Sequence, residues 1–528
     1  IYDLRSDPLA SGIWHLASGI WHLASAYCFP MNAFAEYQSY DAVGLAELVR
    51  SDEVHPGELV EAAAARIDEV NGAINAVIRP RLHEARREAA SGPASGPFGG
   101  VPILIKDLIT EAGTEVSFGS MLFRDYVADT SCAFITRVKD AGFIDLGRTN
   151  TPEFGLLPVT EPVLYGPTRN PWDTAYSPGG SSGGAAAAVA AGIVPLAQAS
   201  DGGGSIRIPA SNCGLFGLKP SRGRNPRSPA AGPDYLSVEL SVSRSVRDSA
   251  ALLDTVHGAA PGDQFWAPAP DHPYVTDAIK DPSKLHIAYS VHDYRGSRVH
   301  PQVEAAILET AALLESLGHE VTQDALPING DALADAFLQW WAALASLVFK
   351  TVLDTASERP SVRRMRTILG DYKTMQAISK VDARQTGKPA FEPFTWTLAR
   401  RAMSQRPADL MAAQTTLQDI AHTTGTFLEK YDMALTPVLG SPPLKIGALD
   451  QTLPYDEFSE IVLKHVAFTP LANFSGLPAM SVPLSWTPQG LPIGSHFLGR
   501  FGDESTLIQL AGQLERARPW ADRRPTLS

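Results

Sequence analysis

The chain has 528 residues, 44% of them hydrophobic and 19% charged, enough apolar sequence for a large core and too balanced a composition for intrinsic disorder. A formal net charge of −13 without any run of Lys and Arg argues against a nucleic-acid surface, which needs a concentrated basic patch. Three cysteines, Cys28, Cys132 and Cys213, form no CxxC pair, which argues against a disulfide framework and fits a reducing, cytoplasmic compartment.

Residues 1–30 contain ASGIWHL twice, at 10–16 and 17–23. His15 and His22 interrupt any apolar run, so the segment reads as neither a secretory signal nor a membrane span. It is expected to be an inert leader to a domain running from 31 to 528. Apolar residues at three- and four-residue spacing predict helices over 44–51 and 57–71. A short strand-like run, INAVI, follows at 74–78, and 91–100 (SGPASGPFGG) is a loop. VPILIKDL (101–108) places four apolar residues in the five before Lys106, the pattern of a buried strand that delivers a lysine at its C-terminal end. A buried lysine is costly, so by itself the residue would be read as one whose stem packs while its amine reaches water. Segment 132–141 reads as a helix, and AGFIDLGRTNTPEF (141–154) as a strand running into a loop.

Residues 177–224 contain SPGGSSGG, an alanine-rich helix at about 184–191, and then DGGGSIRIPASNCGLFGLKPSRGR. Ser181 and Ser182 lie between glycine pairs, and Ser205 closes a second glycine run. Glycine adopts backbone angles closed to other residues and lets amide groups approach a ligand. Gly202, Gly203, Gly204 and Ser205 are therefore expected to aim consecutive N–H groups at a developing oxyanion. Cys213 reads as a small packed residue. Helix (246–257), strand (284–290), helix (303–319) and strand (EVTQD) follow, an alternation that predicts α/β layers around a large mixed sheet. Between about 327 and 432 the pattern is helical and rich in Phe and Trp. This insert is expected to serve as a subdomain core, as an apolar lid over the site, or as both. Short strands resume at YDMALTPVLG, NFSGLPAMSVPLSW and GLPIGSHFLG.

GGSSGG at 179–184, DGGGSIRIPA at 201–210, GLKPSRGR at 217–224 and the upstream lysine of VPILIKDL occur in an order and spacing that resembles the amidase signature family, from roughly Tyr40 to Pro525. The resemblance implies an α/β fold with a large mixed sheet flanked by helices. It also implies a catalytic triad of Ser205 as nucleophile, Ser181 with a cis peptide bond as proton bridge, and Lys106 as base, working through an acyl-enzyme. Ser182, Asp201 and Arg207 would support these residues, Ser182 and Asp201 as hydrogen-bond partners and Arg207 as a fixed donor. For Asp201 and Arg207 the bland alternative is a surface ion pair. No cofactor or metal is implied. The partner would be a small-molecule amide, with the chain working as a monomer or homodimer, away from membranes and nucleic acid. TNTPEF, GPTRNPW and RIPASNCG resemble most the bacterial branch that includes hydrolases of cyclic amide oligomers, and some family members also cleave esters or carbamates.

Two other readings share these residues. The amidase subunit of an aminoacyl-tRNA amidotransferase resembles the chain through the same motifs. GGSSG at 179–183 also matches the G-x-S-x-G elbow of α/β-hydrolases, in which His422, His465 or His496 would serve as base. The lead-in NPWDTAYSP, with two prolines, is a poor strand for such an elbow. GGGSIR fits neither GxxxxGK[ST] nor GxGxxG, and no HExxH spacing is present.

Overall fold

A computed structural model describes residues 34–527 apart from 93–94, 230–235 and 357–359. The duplicated leader lies outside the described residues. Eleven strands build one sheet: β1 (Val77–Pro80), β2 (Pro102–Lys106), β3 (Ile144–Thr149), β4 (Leu196–Asp201), β5 (Phe216–Lys219), β6 (Val238–Ser243), β7 (His286–Tyr289), β8 (Glu320–Gln323), β9 (Met433–Pro437), β10 (Ala479–Trp486) and β11 (Pro492–Gly499). Their spatial order is β1-β3-β2-β4-β6-β5-β10-β11-β9-β7-β8. The sheet is mixed, with β3, β2 and β4 parallel at one side, β9, β7 and β8 parallel at the other, and antiparallel pairs between. The strands of the parallel groups are joined through long connections, and helices cover the faces, as parallel strands require.

The helix Gly183–Ala190 packs against β4, β6 and β2. All eight of its residues are buried. Alanine suits it twice over, as the best helix former and as a side chain small enough for close approach. Gly184 sits so near β3 that a methyl group there would collide with the Asn150 backbone. The contact seats the Ser181–Ser182 loop directly over the strand ends. The helices Arg207–Cys213, Val246–Val256, Pro301–Ser316 and Glu504–Ala517 cover other parts of the sheet.

Alternation stops after β8, as expected from the sequence. The helices Gly330–Ala356, Pro360–Thr386, Pro393–Ser404 and Pro407–Lys430 occupy this stretch, the last two with proline in the first helical turn, where its missing N–H costs nothing;. Stacked and edge-on rings tie them together: Phe349 lies 4.6 Å from Phe391 and 4.8 Å from Trp396, and Trp341 5.0 Å from Phe394;. Among the described residues, Gly330–Asp354 is the one helix long and apolar enough to cross a membrane. It buries Leu333, Leu338, Trp341, Ala345, Phe349 and Leu353 and packs on the neighbouring helices Pro393–Ser404 and Pro407–Lys430.

Candidate active site

Strand β2 ends on Lys106, and its parallel neighbour β4 ends on Ser200 and Asp201. Lys106 is fully buried. Its Nζ lies 2.7 Å from Ser181 Oγ, 2.9 Å from Ser182 Oγ and 2.9 Å from Ser200 Oγ, so its three partners are all hydroxyls. Desolvation therefore decides the charge. It pulls the lysine down to about 7, against a smaller opposing effect of the Glu239 and Asp201 carboxylates;. The Lys106 amide donates to Gln198 Oε1 at 3.0 Å, and Gln198 Nε2 donates to Glu239 Oε2 at 2.8 Å, which pins the strand end beneath the serines. Ser182 donates its hydroxyl hydrogen to the Ser200 carbonyl at 3.2 Å, so towards Lys106 it can only accept. Ser181, joined to Gly180 by a cis peptide bond, has no competing carbonyl of this kind among the described residues.

Asp201 organises the turn that follows β4. Its Oδ1 accepts the Gly204 amide at 2.8 Å and its Oδ2 the Ile206 amide at 3.1 Å. Arg207 returns from the next helix to hold the same carboxylate with two parallel bonds, Nε to Oδ2 at 2.9 Å and Nη2 to Oδ1 at 2.8 Å. Neither side chain is exposed, so the pair is an internal brace and not a surface ion pair. Burial alone would raise the Asp201 carboxyl; the charge and bonds of Arg207, with Lys219 and Asn473 beside it, outweigh burial and hold it below the usual carboxylate range;. Gly204 has φ +130, and a side chain there would strike Thr469 Oγ1 and Ile208. Only glycine fits.

This geometry corrects one expectation. The Gly204 amide was to face an oxyanion but is spent on Asp201, while the Gly203 carbonyl accepts Thr469 Oγ1 at 2.7 Å. The amides of Gly202, Gly203 and Ser205 make no such bond among the described residues. Ser205 itself is half-buried, whereas Ser181 is 2% exposed and Lys106 0%. Lys106, Ser181 and Ser182 are hydrogen-bonded together, and Asp201 and Arg207 together; Ser205 makes no hydrogen bond to either group in this structure.

Sequence reasoning passed over Ser200, Gln198, Asn473 and Lys219. Asn473 Nδ2 donates to the Asp201 carbonyl and to its Oδ1, at 2.8 and 2.9 Å, while its Oδ1 accepts Arg207 Nη2 at 2.8 Å. Lys219, buried at the end of β5, donates to the Pro220 carbonyl at 2.8 Å and is drawn down to about 7 by burial and then by Arg207. Gln198 and Ser200 are polar residues of the short strand LAQASD and Asn473 lies on the helix Pro470–Ser475, so no apolar pattern marks any of them.

The three histidines do not fit a hydrolase elbow. His496 is buried between Arg207 Nη1, 2.9 Å away, and Thr436 Oγ1, 3.0 Å away, and burial followed by the Arg207 charge holds it well below its ordinary range. His465 pairs with Ser441 Oγ at 2.8 Å, and His422 is exposed on the helix Pro407–Lys430. No strand leads into Ser181. Cys213 is packed against the Pro178 carbonyl, and burial pushes its thiol up, away from reactivity;. No group of three His, Cys, Asp or Glu among the described residues is arranged to hold a metal.

The helical insert reaches the site at two places. Phe337 Cε2 lies 3.8 Å from where a side chain on Gly203 would begin, and Trp341 Nε1 donates to the Leu156 carbonyl at 3.0 Å. Glu153, in the TNTPEF stretch, accepts Ser120 Oγ at 2.6 Å, the Glu392 amide at 2.8 Å and Thr395 Oγ1 at 2.6 Å. The segment is thus core at Phe349, Phe391 and Trp396 and wall at Phe337.

Comparison with known proteins places the chain in a family. The amidase family profile matches residues 58–508. The 6-aminohexanoate-cyclic-dimer hydrolase of Paenarthrobacter ureafaciens is 38% identical over 506 residues, covering 92% of this chain and 96% of its own. A solved structure of 6-aminohexanoate cyclic dimer hydrolase superposes with a TM-score of 0.81 at 36% identity, covering 93% of this chain and 99% of the other. A bacterial aryl acylamidase of the amidase signature enzymes superposes with a TM-score of 0.77 at 26% identity, covering 92% and 99%. With a profile match over most of its length and relatives aligned nearly end to end, the chain belongs to the amidase family.

Proposed function

We propose that the chain hydrolyses a small-molecule amide through Ser205, Ser181 and Lys106. A serine hydroxyl is a weak nucleophile until a base removes its proton, and the reading rests on one observation: a buried lysine whose hydrogen bonds all go to hydroxyls, the shortest to Ser181. Near neutral pH a substantial fraction of such a lysine is the amine, with a lone pair to accept a proton;. Ser205, the one member of the three open enough to meet a substrate, attacks the carbonyl carbon. Its proton passes to Ser181, whose own proton passes to Lys106. The oxyanion is held by the amides of Gly202, Gly203 and Ser205. Collapse breaks the C–N bond, the proton returns through Ser181 to the leaving nitrogen, and water then cleaves the acyl-enzyme. Ser205 and Ser181 close up when substrate fills the turn, as hydrogen bonds that are long in a free enzyme do on binding.

For substrate, the first candidate is a cyclic or linear amide of 6-aminohexanoate type, on the strength of the relatives; the aromatic wall at Phe337 also suits an anilide, and matched esters and carbamates react by the same route. The chain acts alone in the cytoplasm, as a monomer or homodimer and without a cofactor. The test is to purify it alone, treat it with a serine-directed fluorophosphonate and map the adduct by mass spectrometry, alongside a panel of amides. The adduct is expected on Ser205, with Ser205→Ala losing roughly 10⁴-fold or more in rate. An adduct on Ser181 would overturn the assignment, and activity appearing only with a second protein would favour an amidotransferase subunit.

A further inference from the structure

The three parallel strands β9, β7 and β8 end together at the far side of the sheet, and a cavity of about 280 Å³ opens there, near the lower end of the ~300–1,000 Å³ usual for small-molecule sites. In open α/β sheets the crevice beyond the carboxyl ends of parallel strands is where ligands bind. The cavity exists because of two small residues. Ala288 of β7 and Ala434 of β9 are register partners, both buried, at positions where strands ordinarily carry larger branched side chains. Leu326 and Phe427 complete an apolar wall. Leaving such a space empty costs packing energy.

The polar lining holds two carboxylates, the His292 imidazole and several hydroxyls. The lining includes Asp293 and Asp324 and no lysine or arginine. Asp324 Oδ2 is engaged by Tyr431 Oη at 2.7 Å and by Lys430 at 3.2 Å, and Asp293 Oδ1 by the Arg295 and Ser297 amides. The second oxygen of Asp293 has no hydrogen bond among the described residues, while the Asp324 carboxylate is also approached by the Ala325 amide. None of Lys106, Ser181 or Ser205 lines the cavity. Its wall does include Thr436, which is joined through His496 to Arg207 and so to the Asp201 brace.

We propose that this cavity is a second small-molecule site, separate from the Ser205 turn, which takes a short primary alkylammonium ion: the alkyl chain against Ala288, Ala434, Leu326 and Phe427, the ammonium at the carboxylates. The inference stands on the cavity and its lining and not on the chemistry assigned to Ser205. An amine of this class is what cleavage of an aliphatic amide releases, so the site is placed to sense product.

Titration calorimetry of the full chain with n-hexylammonium chloride tests it, with hexanoate as the control of opposite charge. Saturable one-site binding of hexylammonium and none of hexanoate is expected. Asp324→Asn should weaken binding at least tenfold. Ala325→Trp, at an exposed lining position where a large side chain does not have to enter the core, should do the same, and both variants should keep the wild-type circular dichroism and melting temperature. Absence of saturable binding, equal binding of hexanoate, or wild-type affinity in both variants would overturn the proposal.

Discussion

Ser200 is the residue that changes most on going from sequence to structure. It lies one position before Asp201 and supplies a third hydroxyl to Lys106 at 2.9 Å. Removing it leaves one Nζ hydrogen facing an apolar strand end, which penalises the ammonium more than the amine. Ser200→Ala should therefore lose about tenfold in kcat, the value of one buried hydrogen bond of ~1.4 kcal/mol. It should also move the acidic limb of the pH profile below that of wild type. A purely structural residue would lower the rate without moving the limb, and Ser200→Thr should restore both. For Lys106 the sign follows from its role. The amine is the working form, so kcat/KM should rise as pH passes through about 7, instead of near the ~10.4 of a free lysine. Lys106→Ala should lose about 10²–10⁴-fold on an anilide and less on the matched aryl ester, because a phenoxide leaves without the returned proton and an amine does not. Equal losses on both substrates, with an unshifted profile, would take Lys106 off the proton path.

At the scale of elements, the insert is held to the sheet by a buried acid. Burial, and then the neighbouring Glu392 carboxylate, push Glu153 up to about 8, far above the ~4.3 of a free glutamate. The folded protein therefore keeps a proton that the unfolded chain gives up. Stability from this group is full below the unfolded value and falls as pH rises from about 4.5 towards 8, the range in which the native state binds more protons. Glu153→Gln keeps an acceptor for the Glu392 amide and Thr395 and cannot ionise. The variant should melt higher than wild type at pH 8 and show a flatter melting curve against pH between 5 and 8; an unchanged pH dependence would remove Glu153 from this account. The same elements show what the sequence could reveal. β2 was legible because PILI before Lys106 has no other reading, and the insert because helical spacing runs through it without strand-like alternation. β4 was not, because its Gln198, Ser200 and Asp201 are polar residues buried for hydrogen bonding, which an apolar pattern cannot anticipate. The glycine runs were legible as turns but not in detail: Gly184 answers to close packing on Asn150, and Gly204 to a turn whose amide serves Asp201 and not a substrate.

The described chain is closed by two segments that lie near its limits. Near the start of the described chain, Tyr37 is buried and its hydroxyl donates to the Ile193 carbonyl at 3.0 Å, and Asp41 accepts Arg247 and Ser245 while capping the helix Ala42–Arg50. From the other end, Trp520 is buried with its Nε1 on the Arg244 carbonyl at 2.8 Å. Arg524 then reaches Gln38, a separation of 486 residues. Arg244 also donates to the Gln38 carbonyl at 2.7 Å, so both ends meet on one small patch. Deleting residues 1–30 touches none of these contacts and should leave melting temperature and activity unchanged. Deleting 1–41 removes the Tyr37 anchor and the Asp41 cap, and Trp520→Ala removes the other anchor. Each loss is worth about 3–5 kcal/mol by analogy with large aromatic truncations and should lower the melting point by several degrees at a fixed scan rate. Because the two anchors share Gln38 and Arg244, the combined variant should lose less than the sum, as neighbouring sites do. Additive losses would show the ends to be independent, and a several-degree loss from removing 1–30 alone would show that the leader packs on the core.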